Sequence, residues 1–208
     1  MLVKDVVTLA KFGELSGVAA KDNVEAITAF INLGLIELYK RFIVKTEEQM
    51  IPLQDGVTSY PTASNFMYPV EAFGEVPIGS TAETLPIPIN DEDSIYSIRF
   101  TDWTSVQVPS TIVGSFVAIT YVTKPVRLTE SQVEDYETEL PLPDSLVDAL
   151  LHYIGYRGHI GIRSDSQSEN NAHWARFERS CKKAKELGVA TPAESMSMSD
   201  RLFERGFT

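Results

Sequence analysis

The chain has 208 residues, 43% hydrophobic and 23% charged, the balance of a globular protein with one good-sized domain or two small ones. Its formal net charge of −11 is uneven: residues 1–151 carry 22 acids and 9 bases, and residues 152–208 carry 7 acids and 9 bases. An acidic body repels DNA phosphates, which argues against a nucleic-acid grip, and a single cysteine excludes an internal disulfide and suits a reducing compartment.

The first segment, VKDVVTLAKFGEL, has helical apolar spacing at Val3, Val6, Val7 and Ala10 and is expected to end near Gly13. It has no apolar h-region, so no secretory signal is expected. A second helix follows, with Asp22 predicted as N-cap and Glu25 completing a capping box. Ile27, Phe30, Ile31, Gly34, Leu38 and Phe42 form one stripe, and Leu33, Leu35, Ile36 and Tyr39 widen it. A helix this apolar packs on more than one side. Its run AITAFINLGLI is about half the length of a bilayer span, so no membrane span is expected. The charged stretch KTEEQ is read as its end.

From Gln49 to Val126 the pattern turns to short strands. EQMIPLQDGVTSYP reads as a hairpin around Asp55-Gly56, a favoured pair for a tight turn. VEAFGEV, SIYSIRF and SFVAITYVT follow, and in the last of these Val117, Ile119 and Tyr121 alternate as in a half-buried strand. Pro77, Pro86, Pro88 and Pro109 are expected to cut the region into small pieces. No crossover helices intervene, so the sheet is antiparallel.

RLTESQVEDYETELPLP holds five acids and one base and reads as an exposed loop. Pro143 is predicted as the first residue of a third helix running to about Ile162, with Leu146, Val147, Leu150, Leu151 and Ile154 buried. After a polar turn at Ser164 to Ser168, a fourth helix carries Trp174, Phe177, Cys181 and Ala184 on one stripe and ends in lysines before Gly188. The expected fold class is α+β. A bundle of about four helices (1–46 and 127–188) carries an inserted small antiparallel sheet or barrel (47–126) and an extended C-terminal tail (189–208).

HYIGYRGHIGIRSDSQSENNAHW holds every histidine of the chain. His152 and His159 share a helix face but lie two turns apart, on the order of 10 Å, too far for one zinc. No HExxH occurs, and Cys181 belongs to an apolar stripe. The expectation is therefore histidines on helix flanks, a buried thiol, and no metal or other cofactor. Gly155, Gly158 and Gly161 do not form a phosphate loop, since they come near a helix end, where the dipole repels anions. Each costs roughly 1 kcal/mol in a helix interior, so close packing, within the subunit or against another, is the expected reason for them. No GxSxG elbow occurs, and the acids of INDEDS read as a solvated turn. No catalytic constellation is legible, and the chain is not expected to be an enzyme. In the tail, Phe203 and Phe207 are four apart, as are Arg201 and Arg205. With Leu202 they suit docking in a partner's groove.

The order of pieces resembles the head-to-tail adaptor (connector, or tubular tail) proteins of short-tailed double-stranded DNA phages. The resemblance spans roughly residues 22–188 and rests on INLGLIELYKRF running into KTEEQMIPLQDGVTSYP, and on LPLPDSLVDALLHYIGYRG. It implies a homo-oligomeric ring of twelve copies under the portal protein, made in the host cytoplasm and resident in the virion. The ring would pass double-stranded DNA without sequence-specific binding and receive downstream nozzle or tail-tube proteins. It makes the portal the leading partner for the tail. Two other readings of the residues stay open: an acidic monomeric binding module, and a small metal-dependent enzyme built on His152, His159, His173 and Cys181.

Overall fold

The computed structural model describes residues 1–78, 81–160 and 167–193. It is α+β, with five α-helices among the described residues, and divides into two compact units. The first comprises residues 1–44 and 125–193, and the second contains residues 45–124.

The first unit is helical. Helix α1 (Val3–Phe12) buries Val3, Val6 and Ala10 and stops at Gly13, whose N–H donates to the Leu9 carbonyl (2.8 Å). Helix α2 (Val24–Arg41) buries Ile27, Ile31, Leu35 and Leu38, a stripe at helical spacing. Each fully buried side chain of this kind stabilises by about 1.5–3 kcal/mol. The cap of α2 is Asn23, not Asp22: its side-chain oxygen accepts from the Ala26 N–H (3.0 Å). Asp22 instead closes a 3₁₀ turn, Ala19–Asp22, which moves the helix start one residue on. KTEEQ is not the end of α2 either, because the backbone is already extended at Phe42 and a strand begins at Thr46.

The acidic linker is exposed at all five of its acids, as expected, but it is not wholly a loop and it is anchored to the core. Leu128, Val133, Leu140 and Leu142 are buried, and Glu130–Glu134 form helix α3, capped by the Thr129 side chain. Asn32 of α2 pins the linker's start. Its amide donates to the Leu128 carbonyl (2.9 Å) and its oxygen accepts from the Leu128 N–H (2.8 Å). The linker's charges mask a sparse apolar pattern that finds the core.

Pro143 precedes a 3₁₀ turn, Asp144–Leu146, and helix α4 follows at Val147–His159, shorter than expected because Ile160 is already extended. Leu146, Val147, Leu150 and Ile154 are buried, while Leu151 is half-buried. Helix α5 (Gln167–Glu186) buries Phe177, Cys181 and Ala184. Gly188 follows it with φ +63°, the left-handed conformation favoured just past a helix end.

The second unit holds two antiparallel sheets. Strands β1 (Thr46–Pro52), β3 (Phe66–Ile78), β4 (Thr81–Pro86) and β7 (Val113–Thr123) form one, in the order β1-β7-β3-β4. Strands β2 (Ser59–Pro61), β5 (Arg99–Asp102) and β6 (Ser105–Gln107) form the other, in the order β2-β6-β5. Ile51, Ala72, Val117, Ile119 and Tyr121 of the first sheet share one apolar core with Tyr60 and Val106 of the second. The predicted alternation in β7 holds from Val117 to Tyr121 and fails at Val122, which is also fully buried.

The predicted hairpin is half right. A turn does form at Asp55-Gly56, with Gly56 at φ +77°. Its flanks do not pair with each other: β1 pairs with β7, and β2 with β6. The loop instead closes on the Tyr60 hydroxyl, which accepts from the Gln54 N–H (2.9 Å) and donates to the Val57 carbonyl (2.9 Å). Of the prolines expected to cut the region, Pro86 ends β4 and Pro88 and Pro109 lie between strands, but Pro77 does not interrupt β3, which also runs through Pro69. A register shift beside Pro69 absorbs its missing donor, and Pro77 lies beyond the last β7 partner, Glu75.

Candidate functional site

The glycines of α4 meet the turn that follows α1. Gly158 receives Leu15, which is fully buried. One turn earlier, a Cβ at Gly155 would lie 2.7 Å from His173 Nδ1 and 3.0 Å from Glu14 Oε2. Two consecutive turn residues, Glu14 and Leu15, thus seat in two successive notches of one helix. Their neighbours there are side chains of the same unit.

These notches assemble a cluster from three elements. Glu14 comes from the turn, His152 and His159 from α4, and His173 from α5. Glu14 Oε1 lies 3.2 Å from His152 Nδ1, and Glu14 Oε2 lies 2.7 Å from His173 Nδ1. Both approaches are close, yet Glu14 Oε2, His152 Nδ1 and His173 Nδ1 are buried atoms that make no hydrogen bond of proper geometry. One donor atom from each of Glu14, His152 and His173 lies within 4.8 Å of the other two. His159 stacks on His173 (4.7 Å between ring centres), and its Nε2 lies 3.1 Å from the Glu14 main-chain oxygen. Burial lowers the His173 pKa, an effect that Glu14 partly opposes.

Cys181 stands apart from this cluster. It lies eight residues beyond His173 on α5, about 12 Å along the helix. Burial pushes its thiol pKa up to about 11, so it is not a reactive nucleophile. Beside it, Arg41 donates to Glu37 (3.0 Å) and to Glu178 (2.9 Å) and lies over the Phe177 ring (4.7 Å). These contacts tie α2 to α5.

The helical unit also leaves apolar side chains uncovered. Phe12 at the end of α1 is 83% exposed, and Leu33 and Ile36 on α2 are 38% and 40% exposed. Lone exposed apolar residues are ordinary on a protein surface, and Phe12 is the most open of these three.

A family model described as SU10 adaptor protein matches residues 3–198. The chain belongs to the SU10 adaptor family. The resemblance to phage head-to-tail adaptors noted in the sequence is borne out, and the match reaches beyond the 22–188 on which it was read, covering α1 as well. No curated protein matches this SU10 adaptor. Among its described residues, no helix is long and apolar enough to cross a membrane.

Of the residues singled out in the adaptor's sequence, Gly155 and Gly158 are buried against the turn after α1. Gly161, Arg201, Leu202, Phe203, Arg205 and Phe207 lie outside the described residues. The four-residue set His152, His159, His173 and Cys181 is not one site: the structure gathers the three histidines and leaves the cysteine elsewhere. Sequence spacing missed Glu14. The only hint was an acid at the end of a helix, next to a leucine that needed burial.

Proposed function

We propose that this SU10 adaptor protein forms a ring, of twelve copies, beneath the portal, where it prolongs the DNA channel and receives the nozzle or tail-tube proteins of the virion. The family match over residues 3–198 carries the proposal. One physical feature supports it. The acidic body, 22 acids against 9 bases in residues 1–151, suits a channel through which DNA slides without adhering. The role is structural, not enzymatic.

Within this reading the tail residues Arg201, Leu202, Phe203, Arg205 and Phe207 dock on the portal as aromatic anchors beside arginines. The experiment deletes residues 194–208, leaving intact the stretch in which Thr191 accepts from the Ile43 N–H (2.8 Å). Full-length and truncated proteins are mixed with rings of the cognate portal and weighed by mass photometry. Full-length protein is expected to add a ring's mass to the portal, and the truncated protein to melt normally yet fail to join. Full-length protein that stays monomeric beside the portal refutes the ring reading. A truncated protein that still joins refutes the tail's part in it.

A further inference from the structure

We propose that Glu14, His152 and His173 bind one zinc-class divalent cation, which fastens the turn after α1 to helices α4 and α5. The donor set is chemically specific. Two imidazole nitrogens and one carboxylate oxygen form a set that suits zinc, whereas calcium and magnesium prefer shells built from oxygen. Metal–ligand bonds of about 2.0–2.1 Å in a tetrahedron place donors about 3.4 Å apart. Glu14 meets the two rings through different oxygens, Oε1 at 3.2 Å from His152 Nδ1 and Oε2 at 2.7 Å from His173 Nδ1, and one donor atom from each of the three residues lies within 4.8 Å of the other two, so a turn of the carboxylate and shifts of about an ångström gather them on one ion.

The surroundings point the same way. The inward-facing atoms Glu14 Oε2, His152 Nδ1 and His173 Nδ1 are buried without hydrogen bonds, a costly state for polar atoms that a cation relieves by taking up their lone pairs. Gly155 clears the space, since a Cβ there would stand against both Glu14 Oε2 and His173 Nδ1. His159 acts as a positioning residue, stacking on the His173 ring while its Nε2 meets the Glu14 main chain. Three protein ligands leave a fourth position for water. Glu14 and His152 keep side-chain exposures of 19% and 23%, enough to let an ion enter. The role is structural: the ion joins parts of the chain 138 residues apart, from Glu14 to His152, as a short cross-link does.

The test uses tag-free, full-length protein stripped with a chelator. Zinc is titrated in a calorimeter, and cobalt(II) is used as a spectroscopic probe of tetrahedral coordination. Free adaptor is used throughout, so the outcome does not depend on ring assembly. One equivalent of zinc with micromolar or tighter affinity is expected, with a rise in Tm and intense visible cobalt bands that zinc bleaches. Glu14→Gln and His173→Gln are each expected to weaken binding at least tenfold, and Cys181→Ala to leave it unchanged. Gly155→Ala supplies a second route, obstructing the site while keeping every ligand, and is expected to weaken binding too. Wild-type protein that binds no stoichiometric zinc at 100-fold excess overturns the proposal. So does undiminished affinity in folded Glu14→Gln and His173→Gln variants.

Discussion

Gly34 and Leu150 offer a test of the helical packing in which one substitution changes sign. A Cβ at Gly34 would lie 2.5 Å from Leu150 Cδ1 and 3.1 Å from Tyr153 Cδ1. Leu150 is fully buried, so its methyl can give way only by displacing other core side chains. Overpacking of this kind costs about 1–3 kcal/mol, and the better helix propensity of alanine offsets about 1 kcal/mol. Gly34→Ala should therefore destabilise the protein by about 1 kcal/mol. Leu150→Ala removes the obstructing methyl at a cost of about 2–5 kcal/mol. In that background the alanine at 34 meets a cavity. It gains about 1 kcal/mol of propensity and about 0.8 kcal/mol for a buried methyl, less whatever the Tyr153 edge takes back. Gly34→Ala should then stabilise by about 1 kcal/mol, a coupling of about 2 kcal/mol. Denaturant unfolding of the four proteins, followed by far-UV circular dichroism, measures it. An effect of Gly34→Ala that agrees within about 0.5 kcal/mol in the two backgrounds would refute the packing of α2 against α4 described here.

The Cys181 thiol, buried and with its pKa pushed up to about 11, should resist thiol reagents at pH 7 in native protein and react fully once unfolded; prompt native labelling would contradict its burial. The Asp102 carboxylate is held below its ordinary value of 3.8, first by the Thr104 hydroxyl and N–H and then by Ser105. A depressed folded pKa means that this stabilisation is present above the unfolded value and is lost as pH falls through the folded one. The advantage of wild type over Asp102→Asn should thus shrink as pH falls below the ordinary carboxylate value of 3.8; a difference that stays constant on acidification would show that the turn does not depend on the charge.

Local signals in this chain were legible where one residue type has one use. The β7 alternation from Val117 to Tyr121, the α2 stripe and the Gly188 stop are of that kind, and each is found in the structure. Ambiguity arose where two residues compete for one role, as Asp22 and Asn23 do for a cap, since both side chains suit the position equally. Pairing was not legible at all. Asp55-Gly56 encodes a turn, but whether its flanks meet each other or distant strands depends on partners some 50 to 70 residues away, such as Val106 and Val117. The Glu14 cluster was hidden for the same reason. Its donors lie 138 and 159 positions from Glu14, and only the notches at Gly155 and Gly158 bring the turn to the helix.

The pairing of β1 with β7 has a consequence for the chain as a polymer. Residues 45–124 interrupt the helical unit with a segment of 80 residues. The first and last strands of that segment are partners, Thr46 opposite Val122, with the Thr123 N–H donating to the Lys45 carbonyl (3.1 Å). Once the sheet has formed, the two ends are held side by side, and the helical unit must close a loop that behaves like about five residues. At about 0.6 kcal/mol for each doubling of length, the four doublings avoided lower the entropic cost of bringing α2 to α4 by about 2.4 kcal/mol. Connectivity alone therefore couples the two units: melting the sheet loosens the helices, and a substitution that unzips β1 from β7 is felt in the stability of residues it never touches.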